Sequence, residues 1–274
     1  MPYVKKTVTA GQTIFVKKYF SSRYNKKSDK GRAKREKPTP EKQKKVNENN
    51  AAEYLTWLIN ANFKVGDYHI VLTYSDSHKP TPDEAADNLR RFLRKLRREY
   101  RKQQTELKYI DVTEYEGCRI HHHIIVNKFD TDIISSLWEV YGHPHFTCLD
   151  SSGEYSALAS YLIKETSRTY ENGTVSGKRY NSSRNLIKPQ IEREIISADS
   201  WHSIPKPVKG YYIPSESIVA DIDSFGYPYQ LYTMIALSSK GKGKKTVEHV
   251  ERTKAFISES LKPYMSRQKE KAGA

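Results

Sequence analysis

The stretch CRIHHHIIVN, residues 118–127, places three consecutive histidines inside an apolar, β-branched run. Such residues favour strands, and side chains along a strand point alternately to opposite faces of the sheet. His122 therefore shares a face with isoleucine and valine side chains, which predicts a core histidine bonded to a backbone group. His121 and His123 share the other face, about 7 Å apart at their Cα atoms. Two imidazoles in this arrangement can converge on one metal ion.

A carboxylate close to these two imidazoles strengthens the case for a metal site. The preceding strand, LKYIDVTE at residues 107–114, is joined to the histidine strand by a short turn, which predicts an antiparallel hairpin. The acidic residues on this strand and directly after it are Asp111, Glu114 and Glu116. Strand alternation does not choose between the two glutamates, because they have the same parity. Two imidazoles and one carboxylate leave open positions on a cation, which is typical of catalytic sites. Beside a phosphate substrate, these donors favour Mn²⁺ or Mg²⁺.

The charge of the chain indicates the class of its partner. Lysine and arginine total 47 against 32 acidic residues, a net charge of +15, which predicts binding to nucleic acid. No apolar run approaches the roughly 20 residues of a membrane-spanning helix, and the first residues do not resemble a signal peptide. Two cysteines, Cys118 and Cys148, do not form a disulfide framework. We therefore expect a cytoplasmic protein with no membrane association.

A helix with a tyrosine on its flank supplies a candidate nucleophile. In EYSALASYLIKE, residues 154–165, Tyr155 belongs to the apolar stripe and is expected in the core. Tyr161 falls roughly 110° from the centre of that stripe, and Lys164 is its neighbour on the next turn. A phenol with a pKa near 10 is a poor nucleophile at neutral pH. A nearby ammonium and a metal-polarised phosphate favour the phenolate, so the pair suits phosphoryl transfer.

The rest of the chain alternates helices, strands and basic segments. The helix with the clearest sequence signal covers residues 81–100 and begins with a Thr81–Glu84 capping box. It carries many cations outside its apolar stripe, and Arg90, Arg94 and Arg97 among them are candidates for DNA-backbone contact. The remaining predictions are a basic arm followed by a helix from Thr39, strands at 68–75 and 145–150, a short helix at 134–142, an irregular extension at 191–240, and a basic, partly helical tail at 241–274.

Three motifs in order give the chain a resemblance to a known family. IVLTYS at 70–75 resembles a first, structural motif, RIHHHIIV at 119–126 resembles a His-hydrophobe-His motif, and YLIK at 161–164 is similar to a Tyr-x-x-Lys motif. Together they resemble the HUH rolling-circle replication initiators of the single-tyrosine type, found in Gram-positive plasmids and phages. The likeness covers roughly residues 39–186, and His122 occupies a slot that usually holds a bulky hydrophobe.

The resemblance implies a fold and a site. The fold is α+β, with a central antiparallel sheet that carries the His-x-His strand and is flanked by helices, an RRM-like core with N- and C-terminal extensions. The nuclease domain would cover residues 63–190, after a basic arm and helix at 1–62. The implied metal ligands are His121, His123 and Glu114, the implied catalytic residues are Tyr161 and Lys164, and further DNA contacts are expected at Arg179 and Arg184.

The implied activity is nicking of single-stranded or exposed origin DNA through a 5′-phosphotyrosine, with a free 3′-hydroxyl that primes synthesis by a host polymerase. Ala157 occupies the slot of a second tyrosine, so a complete cycle would need a second subunit or a water step. The sequence has no G-x-x-x-x-G-K-[ST] loop, which implies a separate helicase. Two alternatives stay open: an HUH transposase or plasmid relaxase with the same residues, and a non-enzymatic basic nucleic-acid-binding protein with structural histidines.

Overall fold

The computed structural model describes residues 2–22, 24, 41–115, 119–171, 179–223 and 225–237. The predicted basic arm before Glu41, with the proposed helix cap at Thr39, lies outside the described residues apart from its first positions. Residues 172–178 and the predicted basic tail at 241–274 also lie outside them.

The histidine strand is the centre of a five-stranded antiparallel sheet, which confirms the predicted α+β fold. The strand order is β6-β3-β5-β4-β7, where β5 is the histidine strand. The bounds of these strands and of the four helices are β3 Tyr68–Tyr74, β4 Tyr109–Glu114, β5 His121–Val126, β6 Gly142–Cys148, β7 Asn181–Ser182, α1 Glu41–Asn62, α2 Pro82–Lys102, α3 Thr131–Trp138 and α4 Ser156–Glu171.

Helices cover both faces of this sheet. We call the face that carries His121 and His123 the front face, and the face that carries His122 the back face. On the front face, apolar side chains of α1 and α4 pack against Ile110, Val112 and other strand residues. On the back face, α2 and α3 form a second core with alternate residues of β3 and β5. The sheet therefore separates two differently covered halves of the domain.

The capping box and apolar stripe of α2 explain its position. The Thr81 side chain accepts from the Glu84 N–H, and the Glu84 carboxylate accepts from the Thr81 N–H, as predicted. Seven residues of the helix are buried at helical spacing, from Ala85 to Tyr100. Because the cations lie outside this stripe, they remain on the solvent side of the helix when its apolar side packs on the back face.

A second antiparallel sheet corrects the prediction for both ends of the described chain. The region at 191–240, predicted as irregular, contains four strands, and the segment before the basic arm forms a hairpin. Its strand order is β10-β11-β2-β1-β8, with β9 paired to β11. The bounds are β1 Tyr3–Ala10, β2 Thr13–Phe20, β8 Gln190–Ile196, β9 Tyr211–Tyr212, β10 Val219–Ile222 and β11 Pro228–Ala236.

Helix α1 joins the two sheets. Trp57 packs against Val8 and Phe15 of the second sheet, while Leu55 and Ile59 belong to the front-face core. The Lys6 ammonium lies 4.2 Å from the centroid of the Trp57 ring, a cation–π contact at this junction. The second sheet is therefore packed on a helix that also covers part of the front face.

None of the helices in the described part of the chain is long and apolar enough to span a lipid bilayer.

Candidate metal centre and nucleophile

Strand pairing brings a carboxylate opposite the histidine pair. In the register of β4 and β5, Glu114 lies opposite His121 and Val112 opposite His123. Residues directly opposite on antiparallel strands share a face, so the carboxylate and both imidazoles point to the front. One ligand atom from each of Glu114, His121 and His123 lies within 4.8 Å of the others, and this group could hold a metal ion. The other glutamate considered from sequence, Glu116, lies outside the described residues.

The individual distances show how closely the three side chains converge. The Nε2 atoms of His121 and His123 are 3.0 Å apart, and the Oε2 atom of Glu114 is 3.2 Å from His121 Nε2. Glu114 and His123 are buried, and His121 is half-buried. Ring nitrogens and a carboxylate oxygen this close repel one another through their lone pairs unless a proton or a cation lies among them. The cluster could therefore hold a cation in place of a shared proton.

Hydrogen bonds on the far side of one ring favour this role. His121 Nδ1 lies 2.9 Å from the backbone carbonyl oxygen of Arg119. A carbonyl oxygen only accepts, so Nδ1 carries a hydrogen and Nε2 is the ring nitrogen that faces the cluster. Burial, followed by the charges of neighbouring histidines, lowers the pKa of His123 well below its ordinary value and favours its neutral form. Two imidazoles and a carboxylate fit a divalent cation with open positions.

A fourth histidine, which the sequence did not single out, also lies on the front face and contacts His123. His69 on β3 places its Nε2 atom 3.1 Å from Nδ1 of His123, and the two rings stack with centroids 5.3 Å apart. Burial, and then the charge of His121, lower the pKa of His69 to about 4. The only sequence signal was a lone histidine in a predicted strand, because its side-chain partner depends on how β3 and β5 are paired, with Val71 opposite His123.

The middle histidine belongs to the back-face core, as predicted, but its predicted backbone partner is wrong. His122 Nε2 lies 2.9 Å from the Tyr74 hydroxyl, and Nδ1 lies 2.8 Å from the Thr113 hydroxyl. The ring also packs edge-on against Trp138. Side chains from neighbouring strands satisfy both ring nitrogens because the backbone groups of β5 are used in pairing with β3 and β4. Burial, and then the charge of His121, lower the pKa of His122 to about 3.

The predicted nucleophile lies beside the histidine pair. The ring of Tyr161 meets the ring of His123 edge to face, with centroids 5.5 Å apart. Tyr161 is half-buried and packs against the front-face core, in agreement with its predicted place on the flank of the apolar stripe. Lys164 is exposed one turn further along α4. The helix therefore presents a phenol next to a candidate metal ligand.

The start of α4 is fixed by buried polar contacts. Tyr155, just before the helix, is in the core as predicted, and its hydroxyl donates to the carbonyl oxygen of Asp150 at 3.0 Å. Its N–H donates to the Asn60 side chain at 3.0 Å, and the amide of Asn60 donates to the Thr13 hydroxyl. These bonds tie the helix that carries Tyr161 to α1 and to the second sheet.

The five predicted DNA-contact arginines do not form one group. Arg90, Arg94 and Arg97 lie on α2, behind the back face, so the structure does not bring them to the candidate metal centre. Arg90 pairs with Asp87, and the Arg97 guanidinium lies 6.0 Å from the centroid of the Tyr109 ring. Arg179 lies 3.5 Å from the Glu48 carboxylate of α1, and Arg184 is exposed after β7.

Comparison with known proteins agrees with the motif resemblance. Residues 67–170 match the model of a family described as replication-associated protein ORF2/G2P, a family of rolling-circle replication initiators. The matched segment begins just before β3 and includes the candidate ligands and Tyr161. This confirms the resemblance to the initiators over the part of the chain that carries the site. No curated protein and no solved structure matches the chain significantly.

Proposed function

We propose that the protein is a metal-dependent endonuclease and strand transferase that nicks single-stranded origin DNA and so initiates rolling-circle replication. The observation that carries this proposal is the contact between Tyr161 and His123, which joins a candidate nucleophile to a candidate metal centre. The match of residues 67–170 to replication initiators supports replication as the setting and favours an initiator over a transposase or relaxase with the same residues.

In the proposed reaction the Tyr161 phenol loses its proton and its oxygen attacks the scissile phosphorus. The bond between phosphorus and the 3′ oxygen breaks, and this oxygen takes up a proton to become a free 3′-hydroxyl. The product is a 5′-phosphotyrosine, in which a phosphodiester has been exchanged for another phosphodiester. The reverse reaction can therefore rejoin DNA ends without an external energy source.

The residues around the tyrosine have complementary roles. Glu114, His121 and His123 would hold Mn²⁺ or Mg²⁺, whose chemistry as a Lewis acid is to polarise a phosphoryl oxygen. Lys164, exposed on the next turn of α4, would attract the scissile phosphate and offset charge on its oxygens. Arg184 and Arg179 are proposed to contact the DNA backbone near this face.

The proposed reaction also implies other replication proteins as partners. The free 3′-hydroxyl would prime synthesis by a host polymerase. Because the sequence lacks a nucleotide-binding loop of the G-x-x-x-x-G-K-[ST] type, we infer that a separate helicase unwinds the duplex. Because Ala157 occupies the slot of a second catalytic tyrosine, one helical turn before Tyr161, termination would use a second subunit or water. We infer that the cycle takes place in the cytoplasm.

A covalent-adduct assay tests the proposal. The full chain is incubated with Mn²⁺ and single-stranded DNA labelled on the segment 3′ of the nick, and the products are separated on a denaturing gel. The labelled band at the summed size of protein and DNA should be absent with Tyr161→Phe or with a chelator. Tyr155→Phe is the matched control, because this tyrosine is buried in the core and should leave the adduct intact.

An adduct that persists in Tyr161→Phe would assign the nucleophile to another residue and refute the proposed role of Tyr161. If no adduct forms on DNA that contains the origin, while binding to that DNA remains, the protein is a non-enzymatic nucleic-acid-binding protein instead.

A further inference from the structure

The solvent side of α2 carries a stripe of cations that the proposed nicking reaction does not use. From Arg90 to Lys102 the helix has eight cationic residues and one acidic residue. Seven of these cations are exposed. Five of the seven follow one another at helical spacing, and together we call them the α2 stripe: Arg91, Arg94, Lys95, Arg98 and Arg101. At about 1.5 Å per residue they extend over about 15 Å of the helix surface.

The α2 stripe is not neutralised by its surroundings. None of its five residues forms an ion pair with another described residue, whereas the flanking Arg90 and Lys102 pair with Asp87 and Glu99. Like charges three and four residues apart destabilise a helix by a few tenths of a kcal/mol for each pair. The helix is held instead by its capping box and by its buried side against the back face. A polyanion on this side would relieve the repulsion.

The position of the α2 stripe excludes the scissile phosphate as its partner. The candidate ligands and Tyr161 lie on the front face, under α1 and α4, while α2 covers the back face. The five-stranded sheet lies between them. A nucleotide bound at the candidate metal centre therefore cannot contact the α2 stripe, and any DNA there is a different segment.

The chemistry of the α2 stripe favours a duplex over a single strand. Proteins that bind single strands combine cations with exposed aromatic rings on which bases stack. The aromatic residues of α2, Phe92 and Tyr100, are both buried in the back-face core. What remains exposed is a rigid row of guanidinium and ammonium groups, which suits the regularly spaced phosphates of double-stranded DNA without reading its sequence.

We propose that the α2 stripe binds the phosphate backbone of double-stranded DNA that flanks the nick site. This inference rests on the proposed function, since it takes origin DNA as the partner. The protein then holds two DNA segments on opposite sides of one sheet: a single strand on the front face and duplex behind α2. Contact between the α2 stripe and the DNA backbone would lengthen the time that the protein stays at the origin. It would take no part in the nicking reaction.

Salt-dependent binding to a short duplex of arbitrary sequence tests this inference. Fluorescence anisotropy would be measured between about 50 and 200 mM salt, with a chelator present so that neither nicking nor the metal centre contributes. The test variant carries Arg91→Gln, Arg94→Gln and Arg98→Gln. The control variant carries Arg193→Gln, Lys206→Gln and Lys209→Gln, which remove the same charge from exposed positions outside the five-stranded sheet.

The test variant should bind the duplex at least about tenfold more weakly, and the slope of log affinity against log salt should fall in magnitude by up to about 2.7. The control variant should keep most of the slope. If both variants lost the same affinity for the duplex, net charge alone would account for binding and the inference would be wrong. An unchanged salt slope in the test variant would also overturn it.

The failure of this inference is distinguishable from failure of the proposed function. Duplex binding is measured without cleavage, so it is informative even if no adduct forms. The test variant should nick a single-stranded oligonucleotide at the wild-type rate, because its changes lie behind the sheet. If it binds duplex normally but fails to nick single strands, the α2 residues act on the front face and the separation of the two surfaces is wrong.

Discussion

The two faces of β5 place adjacent, chemically identical side chains in opposite environments. On the back face, His122 is enclosed by apolar residues and its two nitrogens meet the hydroxyls of Tyr74 and Thr113. On the front face, His121 and His123 point their Nε2 atoms at each other and at the Glu114 carboxylate. The structural histidine is the one whose two ring nitrogens both have hydrogen-bond partners. The pair that could bind a cation is the one whose ring nitrogens lie close to each other and to a carboxylate oxygen.

Loss of a front-face histidine should have the largest effect. His123→Ala removes one candidate ligand and should lower the rate of DNA nicking at least about a thousandfold, because a metal contributes several kcal/mol to phosphoryl transfer. His122→Gln keeps a polar group in the back-face core and should nick at a rate close to that of the wild-type protein. Rates are compared on the same single-stranded oligonucleotide. Equal losses in both variants would contradict the division of the strand into two faces.

Loss of the back-face histidine should act on stability instead. His122→Ala leaves a cavity and removes the imidazole partner of two hydroxyls, so we expect the free energy of unfolding to fall by about 2–4 kcal/mol. His121→Ala, at a half-buried position, should lower it by less than about 1 kcal/mol. Urea denaturation of the metal-free proteins measures both values. A greater loss in His121→Ala would mean that the front-face cluster, and not His122, stabilises the fold.

The buried contact between His69 and His123 predicts an effect on metal affinity. With a cation at Nε2, the hydrogen of His123 is on Nδ1, and Nε2 of His69 is positioned to accept it at 3.1 Å. His69→Leu should weaken Mn²⁺ binding by about 10–100-fold, the usual range for a partner that orients a metal ligand. His69→Gln keeps an acceptor and should restore most of the affinity. Isothermal titration with Mn²⁺ compares them, and equal affinities in wild type and His69→Leu would exclude this positioning role.

A pH dependence of stability should also come from the back face. His122 has its pKa lowered to about 3 in the folded state, against an ordinary value near 6.5. Below about pH 6.5 this histidine binds a proton in the unfolded chain but not in the folded chain. The free energy of unfolding therefore decreases as the pH is lowered from about 6.5 to about 3. The slope from this residue approaches 1.4 kcal/mol per pH unit. In His122→Gln the slope of unfolding free energy between pH 6 and pH 4, measured in urea, should be smaller by about that amount. An unchanged slope would mean that His122 is not buried as a neutral ring.

Local patterns predicted the front-face pair because it depends only on strand alternation and a short hairpin. His121, His123 and Glu114 lie on neighbouring strands, and the flank position of Tyr161 follows from helical periodicity. The role of His69 required the pairing of β3 with β5, which joins residues more than fifty positions apart. Side-chain contacts across such distances are set by tertiary packing and leave no periodic signal in the sequence.

The second sheet was missed for a related reason. Strands β9 and β10 have only two and four residues, too short for alternation to be recognised among prolines and tyrosines. Strand β8 is mostly exposed, and charged residues interrupt its apolar positions. Its partner β1 is nearly two hundred residues away in sequence. The location of the α2 cations behind the sheet could not be predicted either. The periodicity of an amphipathic helix shows which side of the helix is buried, but not which face of a sheet it covers.

The most direct test of the two-face account is a Mn²⁺ titration of the full chain without DNA, repeated for His121→Ala, His122→Gln and His123→Ala. The account predicts one site in the wild-type protein, retained with similar affinity in His122→Gln and lost or greatly weakened in the other two variants. Retention of wild-type affinity in His121→Ala and His123→Ala would contradict it, because the cation would then be bound elsewhere.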